Sequence, residues 1–304
     1  MLPAVERGDL MGFVPRTKAA RAAVAAACLG TIALGVGVQA ASATTTPHAV
    51  THTYLALGDS LSFGYQEATV VPAPNYAVAS SFTGWPDVVG SALGLTVANA
   101  SCPGETSLSL ITAGAPSNGC ENSPGGGAGY RTAYPLHVSY SGTQLAYADK
   151  YLKTHPHTSL VSLMIGANDY FLCQETTADH CSSEVLTVIS SVTKNVQTIL
   201  STIRTKDHYK GQVVLQNYYS LNYADPTGTA LVQELNSVLD AAAKKFNVTI
   251  ADGFGEFKAA SLHSGGSPCT AGLLTQLSGG GCGIHTSYAG AAVLALAVEK
   301  VVKH

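Results

Sequence analysis

Residues 54–65 read YLALGDSLSFGY, a short apolar run that stops at a glycine, an aspartate and a serine. Four later runs have the same form, because each is apolar and each ends at a polar residue or a glycine. Such runs are typical of strands that are buried on both faces of a parallel sheet. The five predicted strands are Tyr54–Leu57, Leu95–Ala98, Leu160–Ile165, Val213–Gln216 and Val248–Ala251.

Amphipathic stretches separate these runs along the chain. In residues 184–205 the apolar side chains recur at three- and four-residue steps, which predicts a helix. Similar patterns predict helices over residues 230–245, 287–302, 82–93 and 142–152. Alternating strands and helices predict one domain with a three-layer α/β/α sandwich and a mostly parallel five-stranded sheet. Because such sheets bind ligands at the carboxyl ends of their strands, the polar residues that end the runs are candidate site residues.

The composition limits the class of protein. Of 304 residues, 46% are hydrophobic and 12% are charged, and the net charge is −3. This balance gives no basic surface for nucleic acid, so we expect no nucleic-acid partner. The 31 glycines and low charge argue against a coiled coil, and the hydrophobic fraction argues against extended disorder.

The N-terminal residues have the pattern of a secretory signal peptide. Basic residues within 16–21 precede an uncharged stretch over 22–38, and residues 41–43 read Ala-Ser-Ala, a small-x-small cleavage site. We therefore predict cleavage near Ala43, export from the cell, and a mature domain of residues 44–304. An uncleaved membrane anchor is the alternative, although the apolar stretch is short of the ~20 residues that cross a bilayer.

The cysteines point to the same compartment. The chain has 7 cysteines, of which Cys28 lies in the predicted signal peptide. An even number remains after cleavage, which in an exported protein indicates disulfides. The spacing shows three local couples, and we predict the bonds Cys102–Cys120, Cys173–Cys181 and Cys269–Cys282. The rival interpretation is a metal site, but the sequence has no CxxC and no HExxH, so we predict no metal.

Residues 116–140 interrupt the alternating pattern with a glycine-rich stretch that contains Tyr130, Tyr134 and Tyr140. Long loops in compact domains are usually functional or disordered. The tyrosines either line a groove for an acyl chain or an aromatic group, or belong to a surface excursion held by Cys120.

Two residues have the placement of a nucleophile and its base. Ser60 follows the first strand at a strand-to-helix turn, where its hydroxyl faces the carboxyl edge of the sheet. A helix N-cap is the alternative role for this serine, and the usual GxSxG pattern does not fit because Ser62 occupies its last position. His285 lies in GGGCGIHTSYAG, directly before the last predicted helix.

Two further residues follow strands and can help to hold an oxyanion. Gly104 lies in NASCPGETS after the second strand, and Asn168 lies in MIGANDYF after the third. A tetrahedral intermediate needs two or three donors aimed at its developing negative charge. The Ser60 and Gly104 main-chain N–H groups and the Asn168 side-chain amide are the candidates. We expect Asp59 and Asp169 to hold the neighbouring turns by hydrogen bonds.

Together these four segments resemble the GDSL family of esterases and lipases, also called SGNH hydrolases. Ser60 in GDSLSFGY, Gly104 in SCPGETS, Asn168 in GANDYF and His285 in CGIHTSYAG match the family's four residues in chain order. Secreted bacterial members with three local disulfides are the nearest resemblance. It implies a flavodoxin-like sandwich, ester hydrolysis through an acyl-serine, and no metal or other cofactor.

The sequence departs from the family pattern beside the histidine. Relatives usually carry an acid three residues before it, whereas Cys282 occupies that position here. Such an acid orients the imidazole and stabilises its charged form. We expect the main-chain carbonyl of Cys282, or of a neighbouring glycine, to accept from His285 Nδ1–H instead. The competing hypothesis is a distant carboxylate, such as Asp252, which follows the last predicted strand.

The sequence therefore predicts a secreted serine esterase or lipase, with lipid acyl esters favoured by the tyrosine-bearing loop. The expected partners are a small-molecule or lipid ester and, transiently, a lipid surface, and we expect a monomer. Two alternatives stay open. One is a polysaccharide O-acetyl esterase, and the other is a weakly catalytic secreted binding module on the same fold, which the missing acid supports.

Overall fold

A computed structural model describes residues 52–303. The predicted signal peptide, with Cys28 and the cleavage site near Ala43, lies outside these residues. No helix within the described range is long and apolar enough to cross a membrane.

The centre of the fold is a five-stranded sheet in which every pairing is parallel. Its strand order is β2-β1-β3-β4-β5, the flavodoxin-like order, with the chain starting near the middle and winding outward in both directions. The strands are β1 Thr53–Gly58, β2 Thr96–Asn99, β3 Thr158–Met164, β4 Gln212–Gln216 and β5 Thr249–Ala251. The predicted class, an α/β sandwich with a parallel sheet, is confirmed.

Helices cover both faces of this sheet. In one group α2 and α8 pack against α9, and in the other α6 packs against α5 and α7. The helices are α1 Ser60–Phe63, α2 Trp85–Leu93, α3 Tyr130–Ala133, α4 Gln144–Thr154, α5 Ala167–Thr176, α6 Val185–Ser201, α7 Pro226–Lys245, α8 Gly253–Ser261 and α9 Tyr288–Glu299. The buried residues of α6 are Val192, Val196, Ile199 and Leu200, which recur at the predicted helical spacing.

The strands form where the sequence is apolar because both faces are covered. Residues Tyr54–Leu57 of β1 are fully buried, and β1 lies between β2 and β3. β1 ends at Gly58, which leaves Asp59 and Ser60 at the carboxyl edge of the sheet. The same edge receives the segments that follow β2 and β3, so the predicted site residues share one end of the sheet.

Several elements were not predicted from the sequence. They are the single turn α3 within the 116–140 stretch, the helices α5 and α8, and an antiparallel hairpin made of β6 Leu274–Gln276 and β7 Cys282–Thr286. α5 buries only Asn168 and Cys173, so it carries no apolar stripe. α8 begins GFG, and the hairpin strands are short and joined by glycines, which weakens any periodic signal.

The structure pairs the cysteines as the sequence predicts. The bonds are Cys102–Cys120, Cys173–Cys181 and Cys269–Cys282, with Cα–Cα separations of 5.6, 5.2 and 5.7 Å. The first bond ties the 116–140 loop to the segment after β2. Within that loop Tyr130 is buried and Tyr134 is 42% exposed, so the loop packs with one side and presents the other.

A substitution at Gly58 tests the tight end of β1. Its φ is +143°, and a Cβ added there would lie only 2.3 Å from the Met164 carbonyl oxygen, which leaves no room for a side chain. We expect Gly58→Ala to lower the melting temperature more than Gly94→Ala. Gly94 has φ +64° and nothing within 4 Å of an added Cβ, so its substitution bears only the left-handed backbone cost of about 1–2 kcal/mol. Equal losses, measured by thermal unfolding, would contradict this packing.

Candidate active site

Ser60 is the first residue of α1, but it is not the residue that caps this helix. The cap is Asp59, whose carboxylate accepts a hydrogen bond from Leu61 N at 3.0 Å. The Ser60 hydroxyl is therefore not needed by the helix end. It points to the last hairpin, where His285 Nε2 lies 3.0 Å from Ser60 Oγ.

His285 is held by the β6–β7 hairpin and by aromatic side chains around it. The Cys269–Cys282 disulfide fixes the start of β7. The Tyr219 hydroxyl donates to the carbonyl of Ile284 at 2.6 Å. The Tyr65 ring meets the imidazole edge-on, with 4.8 Å between the ring centroids. These contacts leave the imidazole little freedom to turn away from Ser60.

The acid beside the histidine is Glu67, which was not predicted from the sequence. His285 Nδ1 lies 2.8 Å from Glu67 Oε1, so the imidazole donates to this carboxylate while Nε2 faces Ser60. Glu67 Oε1 also accepts from Ile284 N at 2.9 Å, and Oε2 accepts from Thr275 Oγ1 at 2.6 Å. His285 N adds a longer contact to Oε1 at 3.4 Å, so four donors of the hairpin hold one carboxylate.

Glu67 reaches the hairpin because the segment after α1 is fastened to it. Val70 forms a bridge with Leu277, and Ser278 N donates to the Thr69 carbonyl at 2.7 Å. Gly283 leaves the space that the carboxylate fills, since a Cβ added there would lie 2.1 Å from Glu67 Oε1. Gly283, two positions before His285, is the sequence signal that could have indicated that an acidic side chain from another segment packs against this strand.

The expectation for Cys282 is corrected by this geometry. Cys282 lies in β7, where it pairs with Gln276. In a strand the chain advances ~3.3 Å per residue, so a carbonyl three residues before His285 lies roughly 10 Å back along the strand. The competing candidate, Asp252, caps α8 instead, because its Oδ1 accepts from Gly255 N at 3.0 Å and from Asn217 Nδ2 at 3.2 Å.

The charge of Glu67 is secured by its neighbours. Partial burial on its own raises the pKa of this carboxyl, but the hydrogen bond and the positive charge of His285, together with Thr275, outweigh burial. The resulting pKa of Glu67 is about 2. The side chain is therefore a carboxylate whenever His285 needs a negative partner.

Gly104 and Asn168 line the same cavity as Ser60 and are joined through Asn118. Gly104 has φ +79°, and a Cβ there would lie 2.4 Å from the Asn118 carbonyl oxygen, so only glycine fits. Asn118 N donates to the Gly104 carbonyl at 2.8 Å, and Asn118 Nδ2 donates to Asn168 Oδ1 at 3.1 Å. Asn118 was not predicted, because it lies inside the irregular 116–140 loop.

This arrangement leaves three donors free. Among residues 52–303, no group accepts from the main-chain N–H of Ser60, the main-chain N–H of Gly104 or Nδ2 of Asn168. They are the three donors that the sequence predicts for an oxyanion. The neighbouring Asp169 accepts from Ser107 N at 2.8 Å and Ser107 Oγ at 2.6 Å, which holds the start of α5 against the segment after β2.

A cavity of about 610 Å³ opens beside the serine. Its apolar walls come from three helices that cover one face of the sheet. The wall residues are Ala167, Tyr170 and Phe171 of α5, Val185, Val188, Ile189 and Val192 of α6, and Leu231, Val232 and Leu235 of α7. An acyl group attached to Ser60 can therefore extend between α6 and α7.

Two groups of residues have metal-like spacing in the described range. They are Cys102, Glu105 and Cys120, and Cys173, Cys181 and Glu184. In each group the two cysteines are joined in a disulfide, so they offer no thiolate to a metal.

Several solved structures are similar to this chain. Phospholipase A1 from Streptomyces albidoflavus is similar to it with TM-score 0.52 and 20% identity over 83% of this chain and 100% of that one. An acetylxylan esterase from Geobacillus stearothermophilus is similar with TM-score 0.49 and 13% identity over 84% and 96% of the two chains. A lipolytic G-D-S-L protein from Veillonella parvula gives TM-score 0.45 and 14% identity over 83% and 98%.

The first of these structures shares the fold of the chain. Among curated protein sequences, none matches this chain significantly. The sequence profile of the GDSL-like lipase/acylhydrolase family matches residues 56–293, which include Ser60, Gly104, Asn168 and His285. The chain therefore belongs to the GDSL-like lipase/acylhydrolase family.

Proposed function

We propose that this protein is a secreted serine ester hydrolase that cleaves lipid acyl esters through an acyl-serine intermediate. The observation that carries the proposal is the unbroken line of contacts from Ser60 Oγ through His285 to Glu67, at 3.0 and 2.8 Å. Three disulfides and the predicted signal peptide support an extracellular location.

In the first half-reaction Ser60 Oγ attacks the ester carbonyl while His285 Nε2 takes the serine proton. The carbonyl oxygen becomes negative and is held by the N–H groups of Ser60 and Gly104 and the Asn168 amide. His285 then gives its proton to the leaving alcohol oxygen as the carbon–oxygen bond breaks. In the second half-reaction His285 Nε2 takes a proton from water while the water oxygen attacks the acyl carbon. The bond between that carbon and Ser60 Oγ then breaks, His285 returns the proton to Ser60 Oγ, and the free acid leaves.

Glu67 neither gains nor loses a proton during these reaction steps. It accepts from His285 Nδ1, which fixes the neutral tautomer whose Nε2 can receive the serine proton. When the imidazole becomes positive, the nearby carboxylate stabilises that charge. Because the pKa of Glu67 is about 2, the carboxylate stays ionised throughout the cycle.

The cavity supports a lipid acyl chain as the acid part of the ester. Its volume of about 610 Å³ is far more than an acetyl group occupies. The walls from α5, α6 and α7 are largely apolar, and each methylene buried there contributes about 0.8 kcal/mol. An acetylated sugar would place its acetyl group here and leave most of the apolar wall uncovered.

The nucleophile is tested by Ser60→Ala. We expect this variant to lose hydrolysis of p-nitrophenyl esters and to lose labelling by a fluorophosphonate probe, because no other residue replaces the serine oxygen. The wild-type protein should be labelled once, at Ser60, as read by peptide mass spectrometry. Unchanged hydrolysis in Ser60→Ala would refute the mechanism, and an unlabelled, inactive wild type would favour a binding module.

The acid is tested by Glu67→Gln. An amide keeps the shape of the carboxylate but cannot hold or stabilise the imidazolium, and we expect kcat to fall by roughly 10³–10⁴. Asp252→Ala is the matched control, since it removes a carboxylate that caps α8. This control should cost about 1 kcal/mol of stability and leave kcat near the wild-type value. The assignment is wrong if Asp252→Ala gives the large loss and Glu67→Gln does not.

The acyl site is tested by filling the cavity. Val188 lines the wall of α6, and Val188→Trp should reduce kcat/KM for a dodecanoyl ester by roughly tenfold or more, because two or more methylene contacts are lost. An acetyl ester should be cleaved nearly as before. Leu186, on the same helix, is 72% exposed and does not line the cavity, so Leu186→Trp should change neither rate. A wild type that prefers acetylated glycans over long acyl esters would support the polysaccharide esterase instead.

A further inference from the structure

The buried hydroxyl of Tyr218 lies between the two turns that carry the site. Tyr218 follows β4, is 5% exposed, and its hydroxyl donates to Asp59 Oδ2. The same oxygen accepts from Ala167 N at 3.4 Å. One hydroxyl therefore contacts the residue before Ser60 and the residue before Asn168. The contacts from Ser60 through His285 to Glu67 do not involve the Tyr218 hydroxyl.

Asp59 passes this contact on to the nucleophile. Asp59 Oδ2 accepts from the Tyr218 hydroxyl, and Asp59 Oδ1 accepts from Leu61 N, the residue after Ser60. The Asp59 carboxylate is therefore fixed at both of its oxygens. The placement of Ser60 in the first turn of α1 therefore depends on where the Tyr218 hydroxyl stands. On the other side, Ala167 N fixes the beginning of α5, from which the Asn168 amide enters the cavity.

Tyr218 is itself fixed by the helix that lines the acyl cavity. Asn236 of α7 accepts from Tyr218 N at 2.9 Å and donates to the Tyr218 carbonyl at 2.8 Å. Asn236 is 6% exposed and follows Leu235, a wall residue of the cavity. A pair of hydrogen bonds to one main-chain unit leaves Tyr218 no alternative position relative to α7.

We propose that Tyr218 is a positioning residue for ester hydrolysis, whose hydroxyl sets the spacing between Ser60 and the Asn168 donor through its contacts with Asp59 and Ala167. The inference rests on the proposed function, because it assigns Tyr218 a part in that same reaction. Tyr218 acts through Asp59 and Ala167 and exchanges no proton with the ester.

The ionisation of Asp59 makes this role measurable. Burial raises the pKa of Asp59 to about 6, although the hydrogen bonds from Tyr218 and Leu61 and the charge of His285 lower it. The other titratable groups facing Asp59 are Asp169 of α5 and Tyr219 beside Tyr218. The carboxylate is the form that binds Leu61 N and stabilises the positive imidazole formed during the reaction. Activity therefore needs an ionised Asp59 in addition to a neutral His285, and protonation of Asp59 lowers it as the pH drops through this pKa.

The test compares kcat, KM and the pH profile of kcat/KM for wild type and Tyr218→Phe on one p-nitrophenyl ester. The phenylalanine removes a single hydroxyl and leaves a buried carboxylate with one partner fewer. We expect kcat to fall roughly tenfold to a hundredfold with KM changed less than about threefold. The acidic limb of the kcat/KM pH profile, where activity falls at low pH, should move to higher pH by roughly one to two pH units. The reason is that a contact that lowers the pKa of Asp59 is gone.

Two further variants separate positioning from a general loss of structure. Tyr209→Phe removes a partly buried hydroxyl contact, to the Thr158 carbonyl at the opposite end of β3, and should leave kcat and the pH profile unchanged. In an Asp59→Asn background the added Tyr218→Phe change should not move the acidic limb further, because the carboxyl group that the Tyr218 hydroxyl contacts is absent. Asp59→Asn alone keeps the inference testable if Tyr218→Phe does not fold, since its acidic limb should move to lower pH.

Several results would overturn the inference while leaving the proposed function intact. The first is a Tyr218→Phe pH profile that superimposes on that of an active wild type. The second is a loss of kcat in Tyr209→Phe as large as that in Tyr218→Phe. The third is a shift of the acidic limb by Tyr218→Phe that is as large in the Asp59→Asn background as in the wild type. A wild-type protein that hydrolyses no ester and is not labelled at Ser60 would instead refute the proposed function.

Discussion

The hydrogen bond between Glu67 and His285 is the constraint on which the site depends. It joins residues 218 positions apart in the sequence, one in the segment after α1 and one in strand β7 of the hairpin. Gly283 leaves room for the carboxylate, Thr275 holds its second oxygen, and the Cys269–Cys282 bond fixes the strand that carries the histidine. The nucleophile, base and acid therefore come together only when both ends of the described chain are folded.

Two carboxylates flank Ser60 in the chain, and their surroundings give them opposite properties. Glu67 is partly exposed and bound by His285, and its pKa is lowered to about 2. Asp59 is 1% exposed, and burial raises its pKa to about 6 despite the hydroxyl of Tyr218. The first carboxylate is a permanent partner for the imidazolium, whereas the second couples the position of the nucleophile to pH. This contrast follows from burial and partners, since both are ordinary acids in the sequence.

Much of the fold was predictable because it is local. Each central strand is an apolar run, and each long helix shows a repeating apolar face, so the parallel sandwich follows from pattern alone. Ser60, Gly104, Asn168 and His285 stand at strand ends and in recognisable segments. Glu67 and Asn118 were not predictable, because they lie in irregular segments and act across long distances in the chain. Tyr218 is the second residue after β4, but only the fold brings its hydroxyl to Asp59.

The most direct test of this account is the imidazole proton between His285 and Glu67, observed by proton NMR in water. The structure predicts a strongly deshielded N–H resonance in the wild-type protein, since His285 Nδ1 donates to a carboxylate 2.8 Å away. The resonance should be absent from Glu67→Gln and present in Asp252→Ala. Its persistence in a folded Glu67→Gln variant would show that another group accepts from His285, and would contradict the assignment of Glu67 as the acid of the site.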